Sequence, residues 1–175
     1  MGREIVLVNR APVLTLWAAV VAERLGYARD ESLSLGKALA GLNAQSKGRR
    51  LGIFKPAEGP EEARKVGRGE EFRIVLLGRP VPARNTEEGV RALNGDKIIA
   101  SAGVERYLES KFGDSLDPVR KAMKALATAF EPGDLAAKAF ALYERFRPAI
   151  PDGIKGWGAR GELDLAVLRA LAAHD

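Results

Sequence analysis

The chain has 175 residues, 46% of them apolar and 29% charged, with no cysteine, one histidine and a formal net charge of +5. That is enough apolar material for a packed core and too much for a disordered chain. It excludes disulfides, thiolate metal sites and cysteine nucleophiles, and it leaves His174, beside the chain end, as the sole imidazole, too few for a histidine-built zinc site.

Taken in chain order, Ile5 to Val8 reads as a short buried strand. Asn9 and Pro12 then predict a helix over Ala11 to Leu25. Its apolar residues Val13, Leu16, Trp17, Val20 and Val21 cover a face too wide for one neighbour, so it needs burial from several sides. Its apolar run, Val13 to Ala22, is too short to span a bilayer. Gly26 ends it, and a second helix is expected from Asp30, with Glu31 at the positive end of its dipole. Leu35, Leu39 and Leu42 form the apolar stripe of this helix. Gly36, Ala40 and Ala44 form a small-residue strip suited to close packing, and Gly48 is the expected C-cap.

Residues 56–71 mix Pro, Gly and charges and read as a loop. Phe72 to Leu77 is the clearest strand, expected to pair with Ile5–Val8. Pro80 and Pro82 make the next segment an edge or an extended loop. Helices are predicted over Thr86–Leu93 and Ser101–Phe112, behind Asp117-Pro118, from Gly133 to Pro148, and over Glu162–Ala172. The fold class is therefore α+β and helix-dominated, with five or more helices and one small sheet. One compact domain is expected over 1–175: a basic hairpin subregion over 1–55, the loop over 56–71, and a strand plus helical remainder over 72–175.

The charge is unevenly spread. Residues 1–55 hold nine Lys or Arg against four acids, and the remainder holds 19 of each. Lys37, Gln45, Lys47, Arg49 and Arg50 are the candidate nucleic-acid contacts, because clustered cations and amides are what phosphates meet. Lys and Arg placed to favour a helix C-terminus and solvate a surface turn explain the same cluster. Ala22, Leu25, Gly26 and Tyr27 resemble the turn of a helix-turn-helix, which implies that Ser34, Lys37, Gly41 and Gln45 face a DNA groove. An ordinary helical hairpin accounts for the same glycine, and Ser32 stands where the motif wants an apolar anchor.

The expectation is a cytoplasmic, non-enzymatic DNA-binding or regulatory protein, homodimeric, with no membrane partner. No cofactor, catalytic residue or metal ligand set is expected. The alternative is a small enzyme or ligand-binding protein for a phosphate- or carboxylate-bearing metabolite, held by Arg79, Arg84 and Arg91 around a strand exit.

Three motif strings carry less. Gly156-Trp157-Gly158-Ala159-Arg160-Gly161 matches Gly-x-Gly-x-x-Gly, but prolines precede it and too few residues follow for a βαβ unit. Ser34-Leu35-Gly36-Lys37 matches Ser-x-x-Lys without its companion motifs, and Gly41 to Gly48 lacks the second glycine of a P-loop. The adjacent carboxylates Glu61-Glu62, Glu70-Glu71 and Glu87-Glu88 are explained by solvation and capping.

Overall fold

A computed structural model gives the structure of residues 5–50, 71–94, 97–148 and 160–173, with side chains described throughout except at 43–50 and 160. The elements run β1 (Ile5–Asn9), α1 (Arg10–Arg24), α2 (Arg29–Arg50), β2 (Glu71–Leu76), β3 (Arg79–Thr86), β4 (Gly89–Asn94) and β5 (Lys97–Ile98). Then follow α3 (Ser101–Phe112), a short 3-10 turn (Gly113–Ser115), α4 (Leu116–Thr128), α5 (Pro132–Phe146), β6 (Arg160–Asp164) and α6 (Leu165–Ala173). The fold is α+β and helix-dominated, as its apolar periodicity implies.

Every residue of α1 from Pro12 to Ala22 is buried. A helix apolar all round has to be enclosed. It packs against α2, α3, α4, α5 and β1. Polar groups fix its two ends. Arg10 Nε donates to the Pro148 carbonyl at 2.9 Å, and Arg24 Nη2 donates to the Phe130 carbonyl at 2.7 Å. Midway, the buried Trp17 Nε1 donates to the Ala139 carbonyl of α5 at 2.9 Å, and its ring meets Phe146 edge-on at 5.2 Å. Burying tryptophan without that acceptor would leave its N–H desolvated and unpaired.

The α1–α2 turn is a Schellman motif. Tyr27 N donates to Ala22 O, Gly26 N donates to Glu23 O, and Gly26 adopts φ 118°. The Glu31 carboxylate then does two things. Oε1 accepts from Ala28 N at 2.9 Å, capping α2, and Oε2 accepts from Val90 N of β4 at 3.0 Å. One turn on, the Ser34 hydroxyl accepts from Ala92 N at 2.7 Å and donates to the Ile99 carbonyl at 2.7 Å. Helix side chains thus satisfy the β4 edge where the short β5 ladder stops. Glu105 of α3 accepts two bonds from Arg120 of α4 and lies 3.4 Å from Arg29, tying the start of α2 to both helices.

The structure corrects several sequence expectations. There are two small antiparallel sheets among the described residues, not one. β1 pairs with β6, and β2 begins a four-stranded β2-β3-β4-β5 meander. The partner of β2 lies only two residues away, across Leu77-Gly78, both at positive φ as a tight hairpin requires. So local closure wins over pairing with the distant Ile5–Val8 segment. Pro80 and Pro82 do lie in a strand. However, β4 pairs with β3 only from Ala83 onward, so the prolines keep an edge position on that side.

Thr86–Leu93 is not helical. Thr86 Oγ1 accepts from Glu88 N and donates to the Gly89 carbonyl, and Gly89 at φ 113° closes a β-hairpin turn. The last helix starts at Leu165, not Glu162. Asp164 Oδ1 caps it through Ala166 N at 2.9 Å, and Glu162 to Asp164 belong to β6. Gly48 does not end α2, which continues to Arg50. The loop predicted over 56–71 lies outside the described residues except for Glu71, which opens β2, as does the glycine string except for its last two residues, which open β6.

The helices bury stripes at helical spacing. Val104, Leu108 and Phe112 are buried in α3, Val119, Met123 and Leu126 in α4, and Leu135, Ala139, Leu142 and Phe146 in α5. Leu35 and Leu39 are buried in α2.

Candidate functional site

In the antiparallel meander, the register places Glu71, Arg84 and Arg91 side by side across β2, β3 and β4. Directly opposed residues share a sheet face. Two-residue alternation adds Arg73 and Thr86 to that face and puts Val81 and Ala83, both fully buried, on the core side. Leu93 opposes Ile98 at the β5 end of the same face as Arg91.

Over the β4–β5 end of this face lies a cavity of about 430 Å³, lined by Asp30, Thr86, Glu88, Arg91, Ile98, Ala100, Ser101 and Ala102. It is formed by the first turn of α2, the β3–β4 turn, β5 and the first turn of α3. The Ala100 N-cap of α3 makes no side-chain capping bond, so the first amides of that helix are left to other partners.

Arg91 is the unusual residue here. It is only 6% exposed, yet among the described residues its one hydrogen bond goes from Nη1 to the carbonyl of the preceding Val90 at 2.9 Å. No ion pair reaches it among the described residues. Glu31 feels its charge, but the two oxygens of Glu31 are occupied by Val90 N and Ala28 N. Those bonds, more than Arg91, hold the Glu31 carboxyl below the usual range. A guanidinium has five N–H donors; Arg91 lines the cavity and none of its nitrogens is a buried orphan, so its remaining donors are open to solvent there. Beside it in register, Arg84 keeps a buried Nε with no partner among the described residues. Orphaned donors of this kind are rare in native structures and call for an explanation.

Of the three arginines expected around the strand exit, the structure brings Arg84 and Arg91 together. Arg79 opposes Leu76 and lies on the pleat face of Val81 and Ala83, away from them. Asp30 and Ser101 are legible only as helix starts and Glu88 only as a solvated acid; the cavity that brings them together depends on the β3–β4 hairpin, which the sequence predicts as a helix.

The nucleic-acid candidates divide differently. Lys37 is half-buried, with Nζ 4.3 Å from the centre of the Tyr107 ring. Burial, followed by the nearby Lys111, holds its ammonium below the usual lysine value. Ser34, which the helix-turn-helix resemblance would turn toward a groove, is fully buried against β4 instead. Gln45, Lys47, Arg49 and Arg50 belong to the last two turns of α2 as backbone, and their side chains lie outside the described residues.

Among the described residues no group of His, Asp or Glu could hold a metal ion, and no helix is long and apolar enough to cross a membrane. Comparison with protein-family models, curated proteins and solved structures finds no match to this chain.

Proposed function

We propose that this protein binds a small molecule through a carboxylate or phosphate group placed against Arg91. The observation that carries the reading is a buried guanidinium that lines a cavity of metabolite size and has, among the described residues, one hydrogen bond, to the neighbouring Val90 carbonyl. Arginine is suited to this role because its planar fork meets a carboxylate or phosphate through two parallel bonds. Ser101 and the uncapped start of α3 add donors at the same wall.

The test is a titration of the full chain with acetate and with inorganic phosphate, followed by amide chemical shifts. Saturable shifts are expected at residues 30, 86–91 and 98–102. Arg91→Gln should weaken binding by about 10- to 100-fold, the equivalent of a charge-assisted bond worth roughly 1.5–3 kcal/mol. Arg91→Lys should keep part of the affinity and Arg79→Gln all of it. Unchanged binding in Arg91→Gln would refute the assignment.

A second reading, a nucleic-acid contact through the end of α2, is supported by one observation. The backbone of α2 continues as helix through Lys47, Arg49 and Arg50, so these residues belong to one element. Their joint replacement by Ala should flatten the slope of log affinity for duplex DNA against log salt by nearly 3 units, at about 0.9 per phosphate. Thermal stability should be almost unchanged. A Lys121, Lys124 and Lys138 triple to Ala serves as the control, since all three are exposed. Equal losses from both triples would reduce the effect to net charge, and no binding at low salt would end this reading.

A further inference from the structure

We infer that the molecule held at Arg91 is a zwitterion, a short compound carrying both a carboxylate and an ammonium group. This rests on the anion-binding reading above and adds the ligand's second charge. Two carboxylates share the cavity wall with Arg91: Asp30 in the first turn of α2 and Glu88 in the β3–β4 turn. Both are exposed, and neither takes part in an ion pair among the described residues. The lining therefore holds one buried cation and two open anions, on different elements.

A dianion brought to Arg91 would meet repulsion from both acids, and Coulomb interactions between charges on one pocket wall are only partly damped at a protein surface. A ligand with an ammonium group at its other end turns the same two carboxylates into partners. Of the remaining wall, Ile98, Ala100 and Ala102 are apolar and suit a short hydrocarbon spacer between the two charges, and Thr86 and Ser101 are polar. Pockets fix orientation with a few placed polar groups on an apolar lining, and this cavity has opposite charges in that arrangement.

Two matched series test this on the full chain by amide-shift titration: glycine, β-alanine and 4-aminobutyrate against acetate, propionate and butyrate. The three chain lengths cover different spacings between the charges. At least one zwitterion should bind about tenfold more tightly than its carboxylate counterpart, a gain of about 1.4 kcal/mol. The Asp30→Asn, Glu88→Gln double variant should erase that gain while keeping or raising the affinity for the carboxylates. If the carboxylates bind and the zwitterions bind no better, the anion site stands and the zwitterion inference is overturned. If neither series binds saturably, the zwitterion inference is overturned, and the anion reading falls with it unless inorganic phosphate binds. A preference that survives the double variant would also overturn the inference, because the two acids would then not be its source.

Discussion

Gly36→Ala is expected to destabilise the protein by about 2–3 kcal/mol, even though alanine is the better helix former. Gly36 lies in α2 where that helix crosses α1. A Cβ there would stand 2.5 Å from the Thr15 carbonyl oxygen, 2.9 Å from Ala19 N and 3.2 Å from Ala19 Cβ. Two of the three are backbone atoms of a helix buried on every side, so no flexible side chain can move out of the way. The helices must separate, and the contacts of Leu35, Leu39 and the α1 face loosen together. Alanine recovers up to about 1 kcal/mol of helix propensity, and overpacking against two rigid backbone atoms costs about 3–4 kcal/mol, at or just above the top of the usual range. The clash therefore outweighs the propensity.

Gly41→Ala is the matched control. Gly41 sits in the same helix with nothing within 4 Å of its would-be Cβ. It should stabilise by about 0.5–1 kcal/mol. Urea unfolding of both variants should thus give opposite signs, with a Tm drop of roughly 5–10 °C for Gly36→Ala. A stabilised Gly36→Ala would mean that the α1–α2 crossing is not the close contact described.

Ser34→Ala should cost about 2–4 kcal/mol, although it removes a single oxygen. The hydroxyl joins two backbone groups, Ala92 N–H and the Ile99 carbonyl, at a fully buried position. Its loss leaves a donor and an acceptor with one partner fewer, and an unpaired buried group costs about 1–3 kcal/mol. The direct Ile99 N to Ala92 O bond at 2.9 Å remains, which limits the damage. Hydrogen exchange gives the specific signature. The Ala92 amide should lose protection beyond the global loss, while the Val90 amide, held by Glu31, should not. Uniform loss across β4 would point to packing alone, and full protection at Ala92 would show that the hydroxyl is not its partner.

The same residues explain how much was legible beforehand. The small-residue strip at Gly36 and Ala40 was readable because close helix approach has a spacing signature. The enclosure of α1 was readable because its apolar residues cover more than one face. The stripes of α3, α4 and α5 were readable for the same reason: a 3.6-residue period is local. The candidate cavity was only half visible. Arg84 and Arg91 stood out as charges near a strand exit, but their partners and Arg79's displacement did not. Alternation along a strand fixes faces only once the strands are known, and the sequence predicts a helix over Thr86–Leu93, where β4 lies. Thr86 caps equally well a helix or a hairpin turn, and Gly89 at positive φ decided for the turn.

By itself the amino-acid order determined the helix-dominated class, the apolar character of the buried central helix, the small-residue strip of α2 and the concentration of positive charge in the first third. These depend on contacts within a few residues, or on composition. Only the tertiary structure decided which strand β1 takes, since its partner β6 lies some 150 residues away and offers one fully buried side chain, Leu163, as a signal. It alone decided that Ser34 and Glu31 finish a sheet edge and that Arg91 is buried beside two acids. Backbone hydrogen-bond demand and the desolvation of a guanidinium set those outcomes, and both arise only when distant segments meet.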